Sequence, residues 1–278
     1  TSITIKHEGK NTALSSLRVA GGSTTELTAT GWYYGNKVYS ADTSFTWSVS
    51  DALGTIDEDG TFTAVQTGRD VTGTLTVTYG ETNCTLPVTV GSSQPFDDTK
   101  GHWAESYITE LYYAGTLQGS EKNGKLYYRP DASMTRQEFI VAMIRYLGTD
   151  LSAYASVQLP FDDSGSIASW AKSAMQAAYQ LGYLTGSKTN GKLLAKPGST
   201  ISRQEAMTIL SRTKDFADAD LNVLSAFSDS GKIADWARTA LAQMTQQKII
   251  SGSKGKLNPT GKVTRAEVAK MLYMLSET

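Results

Sequence analysis

The 278 residues include 26 basic and 27 acidic side chains, for a formal net charge of −1, and 40% are hydrophobic against 19% charged. This apolar content excludes a disordered chain, the length suits two ordinary domains, and no apolar run approaches the ~18 residues of a membrane span. The charge is divided: residues 1–92 carry 5 basic and 9 acidic groups (−4) and residues 93–278 carry 21 and 18 (+3), too mild a surplus for a nucleic-acid binder.

In chain order, Thr1 to Ile5 reads as a strand rather than a signal peptide, so any export signal is expected to be removed or to lie upstream. Period-two alternation continues through Ile3/Ile5, Leu17/Val19, Phe45/Trp47/Val49, Leu75/Val77/Tyr79 and Cys84/Leu86/Val88/Val90, with threonine at the intervening positions. Gly54 to Ala64 reads as a hairpin turning at Asp59-Gly60. About seven short strands in this stretch predict a β-sandwich over residues 1–91. Asp57, Glu58 and Asp59 are read as a solvated hairpin tip in preference to a calcium site. Cys84, the only cysteine, allows no intramolecular disulfide and is expected to be a small buried hydrophobe. His7 and His102 stand in no ligand spacing, so neither a zinc site nor a histidine triad is expected, and no metal or cofactor is assigned.

Gly91 to Pro95 forms a linker, after which the period becomes helical and one unit recurs three times. The copies open at Phe96-Asp97-Asp98, Phe161-Asp162-Asp163 and Phe227-Ser228-Asp229 and soon reach Trp103, Trp170 and Trp236. Sixteen residues after each tryptophan stands Gly119-Ser120, Gly186-Ser187 or Gly252-Ser253, followed by a Lys/Asn/Gly turn and a proline. Between tryptophan and Gly-Ser an amphipathic helix is predicted, with Trp103, Tyr107, Ile108 and Leu111 and their counterparts on its stripe. The Gly of each pair is expected as its left-handed C-terminal cap.

A second helix begins at Thr135-Arg136-Gln137-Glu138, Ser202-Arg203-Gln204-Glu205 and Thr264-Arg265-Ala266-Glu267, each a capping box with the hydroxyl residue at N-cap and glutamate at N3. The box does not explain the arginine, which at N1 meets the positive end of the helix dipole at a cost of about 0.3–1 kcal/mol. Two readings stand: an anion at the helix N-terminus, clamped by the guanidinium, or an intramolecular ion pair to Asp98, Asp163 or Asp229.

The Phe-x-Asp, Trp-Ala, Gly, Pro and Thr-Arg-x-Glu pattern over residues 94–278 resembles the S-layer homology (SLH) repeat, whose Thr-Arg-Ala-Glu tetrad is intact at Thr264–Glu267 and altered by Gln137, Gln204 and Ser202 elsewhere. The first ~90 residues resemble the bacterial Ig-like (Big-type) domains, through Gly54–Ala64 and the closing Pro87-Val88-Thr89-Val90. The resemblances imply a multidomain chain: an all-β Ig-like sandwich at 1–91, then a mainly α-helical, pseudo-threefold spindle of SLH repeats at 94–150, 159–214 and 225–278. They imply an extracellular, cell-wall-bound anchor that holds secondary cell-wall polysaccharide, a pyruvylated sugar, in grooves between repeats, as a monomer.

Carried over by position, Arg136, Arg203 and Arg265 would meet the carboxylate, and Trp103, Trp170 and Trp236 would face sugar or fill the core. The pairs Gly119-Ser120, Gly186-Ser187 and Gly252-Ser253 would admit sugar closely, and Lys122, Lys188 and Lys254 would add rim charge. Tyr127 and Tyr128, which stand near the arginine only in the first repeat, would stack on sugar or shield the prong. No nucleophile elbow, phosphate loop or metal motif occurs, so no catalysis is expected; the rival readings are a lattice-forming subunit, a tether for an upstream enzyme, and general carbohydrate capture.

Overall fold

The computed structural model describes residues 2–10, 12–33 and 44–278, together with the backbone of 36–37. The N-terminal unit consists of β1 (Ser2–His7), β2 (Leu17–Ala20), β3 (Thr24–Tyr33), β4 (Asn36–Lys37), β5 (Thr46–Val49), β6 (Gly54–Ile56), β7 (Thr61–Ala64), β8 (Val71–Tyr79) and β9 (Thr82–Gly91). One sheet runs β1-β3-β7-β6 with β4 on β3, and the other runs β2-β9-β8-β5. All pairs are antiparallel except β2 with β9, where Leu17 lies opposite Val88. The alternating apolar residues of both sheets meet in one core, including Ile3, Ile5, Leu27, Phe62, Leu75, Val77 and Leu86. At the β6–β7 hairpin Gly60 takes φ +90°, and the Asp57 carboxylate accepts from the N–H groups of Asp59 and Thr61, so this aspartate ties its own turn. Cys84 is half-buried at the margin of the core, and burial pushes its thiol pKa up.

The second unit opens with α1 (Glu105–Tyr113), β10 (Ser120–Lys122), β11 (Lys125–Tyr127) and α2 (Arg136–Tyr146). It continues with α3 (Lys172–Gln180), β12 (Ser187–Thr189), β13 (Lys192–Leu194) and α4 (Arg203–Ser211), then α5 (Arg238–Gln246) and α6 (Arg265–Ser276). In the third copy the hairpin shrinks to a single bridge, Ser253 to Lys256. No helix among the described residues is long and apolar enough to cross a membrane.

Two local expectations are corrected. The left-handed residues that end α1, α3 and α5 are Gly115, Gly182 and Lys248, directly after each helix, not the glycines of the Gly-Ser pairs farther on. The tryptophans are not on the buried helical stripe: each precedes its helix and is 55–58% exposed, so the core reading fails for all of them.

The three copies share one core and close on one another. α2 packs on α3, α4 on α5, and α6 on α1, so each second helix leans on the first helix of the next copy and the last copy returns to the first. The backbone repeats this cycle. N–H groups of Arg136 and Gln137 donate to Ser199 O and Pro197 O at 2.9 and 3.0 Å, those of Arg203 and Gln204 to Gly261 O and Pro259 O at 2.8 Å, and those of Arg265 and Ala266 to Ala132 O and Pro130 O at 2.9 Å. The first N–H groups of a helix have no partner within it. Here the proline-containing loop of the neighbouring copy accepts them, which makes each helix start an inter-repeat joint.

The two units touch where β9 ends. Tyr113 Oη donates to Ser92 O at 2.8 Å, and a Cβ on Gly91 would lie 2.4 Å from the Tyr113 hydroxyl. The Arg18 guanidinium, paired with Asp70 at 2.8 Å, sits 5.5 Å from the centre of the same ring. Burial pushes the Tyr113 pKa up to about 12, keeping the hydroxyl a donor.

Candidate binding grooves at the seams between repeats

Each second helix starts from a capping box. Glu138 Oε2 accepts from Thr135 N at 2.8 Å, Glu205 Oε2 from Ser202 N at 2.8 Å, and Glu267 Oε2 from Thr264 N at 3.0 Å. The arginine that follows the N-cap is thereby aimed across a seam into the neighbouring copy. Arg136 is 9% exposed, donating from Nε to Ala195 O at 2.9 Å and from Nη1 to Glu205 Oε1 at 2.9 Å. Arg203 Nη1 donates to Glu267 Oε1 at 2.8 Å, while its Nε is buried with no partner among the described residues. Burial lowers the Arg136 pKa, partly offset by Glu205 and Asp163.

Arg265 behaves differently. Its Nε donates to Tyr128 O at 2.7 Å and its Nη2 to Gln118 O at 2.9 Å, and its guanidinium lies 4.4 Å from the centre of the Tyr128 ring. No carboxylate of the described residues lies within 4.0 Å of it. Tyr128 is 1% exposed and returns a bond from its hydroxyl to Arg265 O at 3.1 Å. Tyr128 therefore serves the arginine of the third copy rather than that of its own.

Of the two readings for the arginines, the ion pair describes Arg136 and Arg203, but their partners are the capping-box glutamates of the next copy. Asp98, Asp163 and Asp229 act on backbone instead. Asp98 accepts from Tyr128 N and Arg129 N at 2.8 and 2.7 Å, Asp163 from Ala195 N and Lys196 N at 2.7 Å, and Asp229 from Leu257 N and Asn258 N at 2.9 and 2.8 Å. The residues so held, Arg129, Lys196 and Asn258, have φ of +57°, +51° and +53°, and the aspartates fix that left-handed turn.

The Gly-Ser pairs have a structural reason of their own. A Cβ on Gly119, Gly186 or Gly252 would lie 2.4, 2.6 or 2.8 Å from the ring of Phe96, Phe161 or Phe227, so the phenylalanine that opens each copy packs on that glycine. Ser120 Oγ accepts from Arg129 Nη2 at 2.8 Å, and Ser187 and Ser253 open the following hairpin or bridge. Lys122, Lys188 and Lys254 are exposed at the turn tips, and none of them lines a groove described here.

A groove of about 300 Å³ lies at the seam of the first and third copies. Gly119 and Gln118 form one edge, Glu138 and Arg145 come from α2, Arg265 from the third copy, and Trp170 from the second. All three copies thus contribute to one concavity. A larger hollow of about 510 Å³ beside α3 is lined by Val157, Ser164, Lys172 and Gln176, and the Gln176 amide there is already bonded to Val157 O at 2.7 Å. Arg145 was not singled out in the sequence. Its only signal there is a basic residue nine positions after Arg136, repeated as Arg212 but replaced by Met274 in the third copy.

Gln137 and Gln204, which depart from the family tetrad, accept the N–H of Ala168 at 3.1 Å and of Ala234 at 3.0 Å. They tie the entry of the next copy, a contact for which the third copy, with Ala266, has no side chain.

The family profile described as "S-layer homology domain" matches residues 95–140, 160–207 and 226–269. Relatives include an amylopullulanase of Thermoanaerobacterium thermosulfurigenes (28% identity over 73% of this chain and 10% of that protein) and the exoglucanase XynX of Acetivibrio thermocellus (29% over 84% of this chain and 21% of that protein). The surface-layer 125 kDa protein of Lysinibacillus sphaericus is 32% identical over 65% of this chain and 15% of that protein. The chain therefore spans between a tenth and about a fifth of the length of these curated relatives. With its cyclic seams and matched tetrads, residues 95–269 of this chain belong to the S-layer homology family, as three tandem domains of a protein of the bacterial cell wall and surface.

Proposed function

We propose that the chain anchors a surface protein non-covalently to the bacterial cell wall by holding secondary cell-wall polysaccharide in grooves between its SLH domains. In this reading the ligand is anionic, a pyruvylated sugar, and the chain itself performs no catalysis. The observation that carries it is the groove in which Arg265, Arg145 and the exposed face of Trp170 converge. Guanidinium groups recognise carboxylates through paired N–H donors, and an exposed indole offers an apolar face to a sugar ring. Residues 94–150, 159–214 and 225–278 form the anchor, a pseudo-threefold spindle, and 1–91 is an Ig-like sandwich that acts as a spacer. Two relatives carry names of polysaccharide-degrading enzymes, which supports a tether for catalytic domains elsewhere in a longer protein.

Similarity to a surface-layer protein keeps a lattice-forming role as the second reading. Size-exclusion chromatography separates the two: the anchor stays monomeric, and a lattice subunit associates as concentration rises.

The direct test is co-sedimentation of the chain with cell-wall sacculi, native and stripped of secondary polymer, beside Trp170→Ala. Substituting Arg136 or Arg203 would damage the seams, whereas Trp170 is exposed and leaves them intact. Binding to native sacculi alone, weakened by Trp170→Ala, is the expected result. Equal retention on stripped sacculi, or no retention on either, sinks the anchor reading.

A further inference from the structure

The three seams are built alike but charged differently. At the seams crossed by Arg136 and Arg203, the guanidinium is already bound to a carboxylate, Glu205 or Glu267, at 2.9 and 2.8 Å, and the arginine side chains are 11% and 15% exposed. An incoming anion there meets a fixed negative charge on the donors it needs. At the remaining seam, Glu138 makes the same Oε2 contacts to Thr135 N and Oγ1 that Glu205 makes to Ser202, but no arginine of the described residues pairs with it, because Arg265 is drawn away onto Tyr128 and Gln118. The cause is legible in sequence: the equivalents of Tyr128 are Ala195 and Leu257, which offer no ring for a guanidinium to lie on.

A second difference reinforces the first. The guanidinium of Arg145, in the last turn of α2, has no hydrogen bond or ion pair to any described residue and lines the same groove as Arg265. Its counterpart Arg212 is tied to Tyr183 O at 2.8 Å, and the counterpart in the third copy is Met274. Only one groove thus presents two guanidinium groups without a carboxylate partner among the described residues.

We propose that this chain takes a single anionic sugar, in the groove of Arg145, Arg265 and Trp170, and that Glu205 and Glu267 keep the two sister seams closed to anions. This rests on the wall-anchoring reading and deepens it by assigning occupancy. The chemistry shared by the possible ligands is an anionic substituent on a sugar, either a ketal carboxylate or a phosphate.

Isothermal titration of the full chain with pyruvylated N-acetylmannosamine, its 6-phosphate analogue and the uncharged parent sugar tests it. One equivalent of an anionic sugar is expected to bind, with the parent sugar at least tenfold weaker, and comparison of the two anions identifies the source of the charge. Arg145→Ala is expected to weaken binding about tenfold, and Arg212→Ala to leave it unchanged. Glu205→Gln keeps a residue able to complete the capping box while removing its charge; it is expected to raise the stoichiometry from one to two. Two or three equivalents on the unaltered chain, or equal affinity for the uncharged sugar, overturn the proposal. So does undiminished affinity in Arg145→Ala, with folding of each variant checked by circular dichroism. Should none of the sugars bind while native sacculi still do, the occupancy proposal fails alone; loss of both removes the anchor reading with it.

Discussion

At the first position of α2 a guanidinium is buried between a carbonyl and a carboxylate of another repeat, and the helix dipole opposes it. What offsets that cost is the pair of directed bonds to Ala195 O and Glu205, which only a branched, planar donor group can make together. Arg136→Ala is therefore expected to destabilise the helical unit by about 1–3 kcal/mol in urea unfolding, because Glu205 and a buried carbonyl lose their partners. Arg136→Lys is expected to recover less than half of that loss. Asp229, 9% exposed, is the second test at this scale. Burial pushes its pKa up, but the N–H donors of Leu257 and Asn258, its own backbone N–H and the charge of Lys232 outweigh this, and the net shift is downward. A carboxyl whose folded pKa lies below its unfolded value contributes stability that is present above the unfolded pKa, about 4, and is lost as pH falls through the folded one. The stability gap between the unaltered chain and Asp229→Asn is thus expected to be full at pH 6 and to shrink below about pH 4, measured by thermal melts. The arginine's N1 position was readable from the tetrad, but its partner was not, since Glu205 lies 69 residues away and only the seam brings the two together.

Between elements, the capping boxes were legible because their spacing is a local property of the chain. The exposure of the tryptophans was not, because helical phase places Trp103 on the stripe of Tyr107 and Leu111 while the helix begins only at Glu105. The role of the Gly-Ser pairs was hidden for a related reason: their need for glycine comes from the ring of Phe96, Phe161 or Phe227, more than twenty positions upstream. Gln137 and Gln204 show what a departure from the tetrad can add, since each accepts the N–H that opens the next copy. Gln137→Ala leaves the Ala168 N–H without its acceptor and is expected to cost about 1 kcal/mol in chemical denaturation. The matching control is Ala266→Gln, which has no such N–H assigned to it and is expected to gain nothing.

For the molecule as a whole, two separate cores and a cyclic set of seams determine how it comes apart. A linear array loses a terminal repeat at the cost of one interface. Here removal of the third copy strips α6 from α1 and also the loop that accepts the α4 N–H groups. Truncation after residue 224 is therefore expected to abolish cooperative unfolding of the remaining helices, while the β-sheet unit keeps its own transition; calorimetry of the truncated chain decides this. Clean folding of the first two copies in that truncation would show that the ring is dispensable. The same closure governs how tension travels. A pull on the N-terminal sheets reaches the helical unit at Ser92 and Tyr113, on a helix that leans against α6, the last of the ring. Load enters where the ring is joined and passes to both neighbours at once, so no copy can be peeled off singly and yielding requires several seams to shear together.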